Sequence, residues 1–368
     1  MSGSPPTADV AIVGGGPAGA AAALVLARSG VDTVLINDVG RTGLKVGEGL
    51  PPAAKPLLRS LGLWEHMRTD AHRVSHGNES AWGDAQLRST SFMRDPNGHG
   101  WHLDRETFDA RLQQTAQSAG ARVMRTTRAE GLVRAAGTWT ITLRDSGTPS
   151  TLSARWLIDC TGRRAWAARL SGASRTAVDH LVAFVCRYRP AVPEADSMTL
   201  VESAPDGWWY TSCVPNGDRV VAYLTDAGDA SARRARTPEG LSRMVAETQF
   251  VRARLAGRDY VRHHGMRIVA ADTSRLDRPV GEGWLAAGDA ATSFDPLSSQ
   301  GILTAIDLGM TAAHSLVSHL SGEQDALAAY GARVETVYAA YLAHRREYYA
   351  QERRWAHQAF WRLRHGPG

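Results

Sequence analysis

The stretch from Ala8 to Gly30, ADVAIVGGGPAGAAAALVLARSG, restricts the possible folds of this chain more than any other. It opens on a short apolar run, Val10 to Val13, of the kind that forms a buried parallel strand. Gly14, Gly16 and Gly19 follow in the spacing G-x-G-x-x-G, with Ala18 inside the turn. In such a turn Gly14 permits the sharp reversal, Gly16 lets a pyrophosphate approach the backbone, and Gly19 lets the helix pack against the strand. The helix predicted from Pro17 to Arg28 aims its free N–H groups at that phosphate. A second strand is expected at Thr33 to Ile36, so the motif has the strand before and the helix after that it requires. The opening therefore reads as the first half of a dinucleotide-binding α/β fold.

The chain has 368 residues, enough for a full core and two intertwined lobes. Its net charge is +5, carried almost wholly by arginine: the only lysines are Lys45 and Lys55. No Lys/Arg block of the kind that tracks phosphates is present, so no nucleic-acid partner is expected. The cluster Arg345, Arg346, Arg353, Arg354, Arg362 and Arg364 reads as a solvated helix face. Cys160, Cys186 and Cys213 are widely spaced and odd in number, which suits a reducing cytoplasm rather than a disulfide framework. The apolar start belongs to the nucleotide fold and not to a signal peptide. No uncharged run is long enough to span a bilayer, and no metal site is expected.

After the second strand come Asn37 and Asp38, where a dinucleotide fold places its ribose-binding acid; either could serve. The Gly/Pro-rich loop Lys45 to Pro52 holds Lys45 and Glu48, which are either solvated or placed where a ring system would lie. Asp104 is a plausible cap for a helix carrying Arg105. Strand signals recur through residue 159 and again from Leu181 to Leu224, where Trp208, Trp209 and Tyr210 are either core aromatics or the lining of an aromatic-binding site. Thr225 to Pro238 reads as a mobile surface loop. The expected division is a discontinuous nucleotide lobe (1–72, 100–162, 266–322), a β-rich substrate lobe (73–99, 163–265) and a helical segment (323–368).

Three separated pieces then agree: the glycine motif, Leu157-Ile158-Asp159-Cys160-Thr161-Gly162, and Gly288-Asp289-Ala290-Ala291-Thr292-Ser293-Phe294-Asp295-Pro296. Together they resemble the FAD-binding fold of para-hydroxybenzoate hydroxylase-like flavoproteins over nearly the whole chain. The resemblance implies FAD held by Gly14, Gly16, Ala18, Gly19, Asn37 or Asp38, Lys45, Arg105, Gly162, Gly288, Asp289, Pro296 and Gly301. Asp289 would accept a hydroxyl hydrogen bond. The segment Asp295 to Gly301, with Gly47 to Pro52, resembles the tryptophan-halogenase-like branch. Within that branch, Ser80 to Gly83 and Glu352 to Trp355 resemble flavoproteins that mature tryptophylquinone oxidases.

The chain departs from true halogenases where their chemistry resides. The halogenase Lys falls near Asn78, the companion Glu at Ser298, and the Trp-x-Trp-x-Ile-Pro signature on Tyr210 to Pro215. Thr161 stands before Gly162 where hydroxylases that take NADPH directly have Asp-Gly, so electrons come from NAD(P)H or from a partner flavin reductase. The resemblance implies an FAD-dependent monooxygenase that uses molecular oxygen through a flavin C4a-hydroperoxide. Its substrate is an electron-rich aromatic ring: a small molecule, or a Trp or Tyr residue of a peptide or partner protein. A flavin-dependent halogenase and a flavin reductase or dehydrogenase of the same fold are the alternatives. Candidate catalytic residues are Glu48, His76 and Gln300, and candidate substrate-binding residues are Trp82, Trp209 and Tyr210. His76 and His102 each have a structural reading as well.

Overall fold

The computed structural model describes residues 7–38, 45–192, 194–263 and 265–366. The outer ends of the expected lobes, at residues 1 and 368, lie outside them. In chain order the elements that position the site begin with β1 (Thr7–Val13), α1 (Pro17–Arg28), β2 (Thr33–Ile36), β3 (Gly77–Ala81), α2 (Arg105–Ser118), β4 (Arg122–Met124) and β5 (Thr148–Asp159). They continue with β6 (Leu181–Arg189), β7 (Met198–Ala204), β8 (Gly207–Cys213), β9 (Arg219–Asp226), β10 (Arg267–Ala270), β11 (Trp284–Ala286), α3 (Gly301–Leu320), α4 (Ala326–Gln351) and α5 (Ala359–His365).

One sheet runs β11-β5-β1-β2-β4 with these strands parallel, extended by a short edge strand beyond β11 and a hairpin beside β5. Its register explains why distant motifs converge. Val13 of β1 pairs with Ile36 of β2 and with Asp159 of β5, and Asp159 pairs with Ala286 of β11. The chain segments that follow these residues therefore leave the same carboxyl edge side by side, the place where open α/β sheets bind ligands. The first two turns of helix α1 bury only alanine and glycine, and α3 crosses it so closely that a Cβ on Gly309 would sit 2.2 Å from the Ala18 carbonyl oxygen.

The second sheet is mainly antiparallel, in the order β6-β9-β8-β7-β3, with β10 against the outer edge of β6. Because side chains alternate along a strand, its two faces carry different residues. Trp208, Val220, Ala222, Leu224, Ala183 and Val185 share the face toward the first sheet. Phe184, Cys186, Trp209, Val221 and Tyr223 share the far face, which three short helices between Ala230 and Leu255 cover.

Several expectations change. Thr225 lies within β9, and helices occupy Ala230–Ala235 and the residues from Pro238; Thr225 and Ser231 are buried and joined by a 2.9 Å hydrogen bond. That segment is packed structure and not a plain surface loop. The lobes also interleave: Ala167 and Ala168 join the nucleotide core, whereas β10 joins the second sheet. Half of the carboxyl-terminal arginine cluster turns inward. Arg345 pairs with Asp179 at 2.6 Å and Arg364 with Asp226 at 2.8 Å, both buried, while Arg354 pairs with Glu352. Among the described residues no helix is long and apolar enough to cross a membrane. The three cysteines are free and buried.

Candidate active site

A cavity of about 550 Å³ opens where the carboxyl edge of the parallel sheet meets the near face of the second sheet. One end is built from backbone turns. Gly16, Ala18, Lys45, Gly47, Arg105, Gly162, Asp289, Pro296 and Gly301 all line it. A Cβ on Gly16 would meet nothing within 4 Å, so the space above the α1 amino terminus is open for a ligand. Gly14 and Gly19 act one layer back. A Cβ on Gly14, at φ +108°, would lie 2.2 Å from the Cys160 carbonyl oxygen, and one on Gly19 would lie 1.9 Å from that of Gly14. Gly288, at φ +60°, would press a Cβ to 2.7 Å from that of Ala18. Asn37 and Asp38 follow the end of β2 outside the cavity wall, and Asn37 packs where a side chain on Gly15 would otherwise go.

Side chains inside the sequence motifs and others that no motif marked, Gln113, Arg163 and Arg175, hold these turns. Gln113 of α2 is buried and donates to the Gly15 carbonyl at 2.6 Å. Asp109, one turn earlier, pairs with Lys45 at 2.8 Å and with Arg105 at 3.4 Å. Arg105 also donates to the Gly47 carbonyl at 2.6 Å, and its Nε is buried without a partner. Asp159 accepts from the Thr161 amide and hydroxyl and from the Ala168 amide, at 2.7–2.8 Å. Arg163 and Arg175 clamp the turn around Asp289: Arg163 donates to the Phe294 carbonyl at 2.6 Å, and Arg175 to the Ala290 and Asp289 carbonyls at 3.0 Å.

Asp289 points into the cavity. Burial raises its pKa, and the Arg163 guanidinium, 4.0 Å away, opposes that rise. An acceptor turned toward open space, a helix amino terminus above a bare glycine, and a buried guanidinium nitrogen without a partner together suit a dinucleotide with hydroxyl and phosphate groups.

The other end is an apolar chamber. Ala183, Val185, Trp208, Val220, Ala222 and Leu224 form its floor, with Phe294 beside the turn and Arg267 and Val269 in the wall. Besides Arg267, Glu48 and Tyr210 supply polar groups, the Tyr210 hydroxyl donating to Glu48 Oε1 at 2.7 Å.

The sequence-predicted catalytic and substrate residues do not all gather here. Glu48 and Tyr210 line the cavity; His76, Gln300, Trp82 and Trp209 do not. His76 is exposed, its Nδ1 2.9 Å from the Ser197 hydroxyl. Gln300 is exposed at the amino-terminal cap of α3. Trp82 donates its indole N–H to the Tyr348 carbonyl at 2.7 Å and packs behind Trp208, against Tyr349 and Trp361. Trp209 points to the far face and stacks on Tyr223 at 4.7 Å, since its neighbours Trp208 and Tyr210 take the near one. Trp208 is thus the aromatic wall in place of Trp209. Asn78 is exposed on β3, and Ser298 is half-buried beside the cavity-lining Ser299. Glu194, Asp196 and Cys213 lie close enough to hold a cation, but the buried Arg219 guanidinium already sits 2.7 Å from both carboxylates.

Residues 7–344 match the family described as FAD binding domain. LodB of Marinomonas mediterranea, named as an FAD-dependent oxidoreductase, is 26% identical over 360 residues, covering 97% of this chain and 96% of its own. The myxobacterial chondrochloren halogenase CndH superimposes with a TM-score of 0.89 at 20% identity, covering 99% of this chain and 87% of its own. QhpG, a peptidyl tryptophan dihydroxylase, superimposes with a TM-score of 0.75 at 24% identity, covering 98% and 79%.

Proposed function

The chain belongs to the FAD-binding-domain family and is an FAD-dependent oxidoreductase, and we propose that it is a monooxygenase that hydroxylates an electron-rich aromatic ring. The observation that carries this reading is the chamber itself: apolar, aromatic-walled, continuous with the glycine turns, and without lysine on its sheet floor.

Bound FAD, reduced by NAD(P)H or a partner flavin reductase, supplies the means of activating dioxygen. The protein does the rest. The α1 amino terminus and Gly16 would receive the pyrophosphate, and Asp289 a ribityl hydroxyl. Arg163 and Arg175 keep the Asp289 turn in place. Trp208 and the small side chains of β6 and β9 exclude water and hold a flat ring. Tyr210 and Glu48, hydrogen-bonded to each other, would give the ring a polar contact.

Halogenation is the second reading, favoured by the fold likeness to a halogenase. Halogenases of the resembled branch carry hypohalite to a lysine near the substrate. Neither lysine of this chain lies on the chamber floor: Lys45 lines the cofactor end and pairs with Asp109, and the Lys55 ammonium lies 4.9 Å over the Trp64 ring. The absence of a lysine from the chamber floor supports oxygen transfer over halogen transfer.

The test mixes the reduced, FAD-loaded protein with dioxygen and, separately, simple phenols, free tryptophan and a tryptophan-containing peptide. A product one oxygen atom heavier on the ring is expected from at least one of them. Turnover confined to non-aromatic amines or alkenes would contradict the proposal. Whether the peptide or the free ring reacts faster decides between a polypeptide and a small-molecule substrate.

A further inference from the structure

Two fully buried carboxylates line the cavity: Asp295, held by Tyr349, and Glu48, beside the chamber. Glu48 is 2% exposed and immediately precedes a two-stranded contact between Gly49–Leu50 and Gly100–His102. Its Oε1 accepts from the Tyr210 hydroxyl at 2.7 Å and from the Ser212 hydroxyl at 3.0 Å. Among the described residues no hydrogen bond reaches Oε2 and no cation pairs with Glu48. A carboxylate in apolar surroundings is costly unless its oxygens are met by donors, so a half-satisfied one asks for another.

Two of the groups around it are neutral, and the cations on the cofactor side have other partners. Burial, and then the Glu48 charge, hold the Tyr210 phenol well above its ordinary pKa, so Tyr210 stays protonated and donates. On the strand behind, burial pushes His102 down to about 4, which keeps that imidazole neutral; its Nε2 lies 2.8 Å from the Thr199 hydroxyl. On the cofactor side, Arg105 spends its guanidinium on the Val46 and Gly47 carbonyls and on Asp109, and Lys45 is held by Asp109.

We propose that Glu48 is the proton acceptor for the ring and Tyr210 the residue that positions it, which restricts the substrate to rings bearing their own donor, a phenol O–H or an indole N–H. This rests on the aromatic-hydroxylase reading. As the new C–O bond forms at the ring carbon, the O–H or N–H proton passes to Glu48 Oε2. The electron pair it leaves moves into the ring and cancels the positive charge that electrophilic oxygen creates there. The C–H bond at the oxygenated carbon then breaks: its electron pair restores aromaticity, its proton passes to the oxygen atom that leaves as water, and Glu48 returns its own proton to the ring oxygen or nitrogen. Reduced flavin supplies the two electrons, and the second oxygen atom of dioxygen leaves as water.

The test titrates FAD-loaded wild type, Glu48→Gln and Tyr210→Phe with para-nitrophenol, below and above the probe's own ionisation, reading the flavin absorbance. Wild type should bind the neutral phenol about tenfold more tightly than the phenolate, because the phenolate meets a like charge. Glu48→Gln should keep its FAD and lose that discrimination. Tyr210→Phe should keep the discrimination and bind both forms more weakly. The same discrimination in Glu48→Gln as in wild type would overturn the proposal. So would hydroxylation of anisole, which has no donor, at a rate matching phenol, although the aromatic-hydroxylase reading would survive that result. Failure to oxygenate any aromatic ring removes that reading and this one with it.

Discussion

The Tyr349 hydroxyl donates to Asp295 Oδ2 at 2.6 Å, and Asp295 is fully buried at the turn that borders the cavity. The same hydroxyl accepts from the Trp208 indole N–H at 3.1 Å. Tyr341 and Arg345 stand two turns and one turn earlier on α4, on the same stripe. Tyr341 accepts from the Asp295 amide at 2.9 Å and lays its ring 4.3 Å from that of Phe294. One face of a carboxyl-terminal helix thus fixes both the cofactor-side turn and the aromatic wall of the chamber.

Tyr349→Phe keeps the ring and removes the hydroxyl. Asp295 loses a donor while staying buried, which costs about 1–3 kcal/mol. Denaturant unfolding of the FAD-loaded variant should show a lower midpoint with an unchanged slope. An unchanged midpoint would mean that the helix does not support this turn.

Asp289→Ala removes the acceptor that faces the cavity. A hydrogen bond to a charged group is worth roughly 1.5–3 kcal/mol, so FAD affinity should fall by about ten- to a hundredfold. Gly16→Val should also lose FAD while the apoprotein unfolds as wild type does, because the backbone there is extended (φ −74°, ψ −173°) and a Cβ meets nothing within 4 Å. Flavin content measured after gel filtration checks both. Full retention in both variants would place the cofactor elsewhere.

His102 gives the stability a pH dependence. Burial lowers its pKa from 6.5 to about 4, so between those values the unfolded chain binds a proton that the folded one refuses. Stability therefore falls as pH falls through that window and is unaffected by His102 above it. His102→Gln should unfold with a shallower acid dependence across the same window. Equal slopes would contradict the neutral, buried imidazole.

The convergence of the glycine turns at one end of the cavity was legible in the sequence because each motif is a local signal at a strand end, and parallel register then aligns those ends at Val13, Asp159 and Ala286. The aromatic wall was half legible. Strand alternation alone separates Trp209 from Trp208 and Tyr210, but which face looks into the cavity depends on how two sheets meet. The inward turn of Arg345 and Arg364 was hidden because their partners, Asp179 and Asp226, lie more than a hundred residues away in sequence. His76 and Gln300 drew notice by residue type, and nothing local distinguishes an exposed loop histidine from a buried one such as His102. Gln113 and Arg175 carried no motif, since their work is to hold backbone carbonyls that only the folded turns present.

The central claim is that this cavity transfers oxygen, not halogen, to an aromatic ring. The direct measurement is the product mass when the reduced flavoprotein reacts with heavy-isotope dioxygen and a phenol or tryptophan substrate, with bromide present. The account predicts one heavy oxygen on the ring and the same product whether or not bromide is added. A brominated ring that carries no heavy oxygen would contradict it.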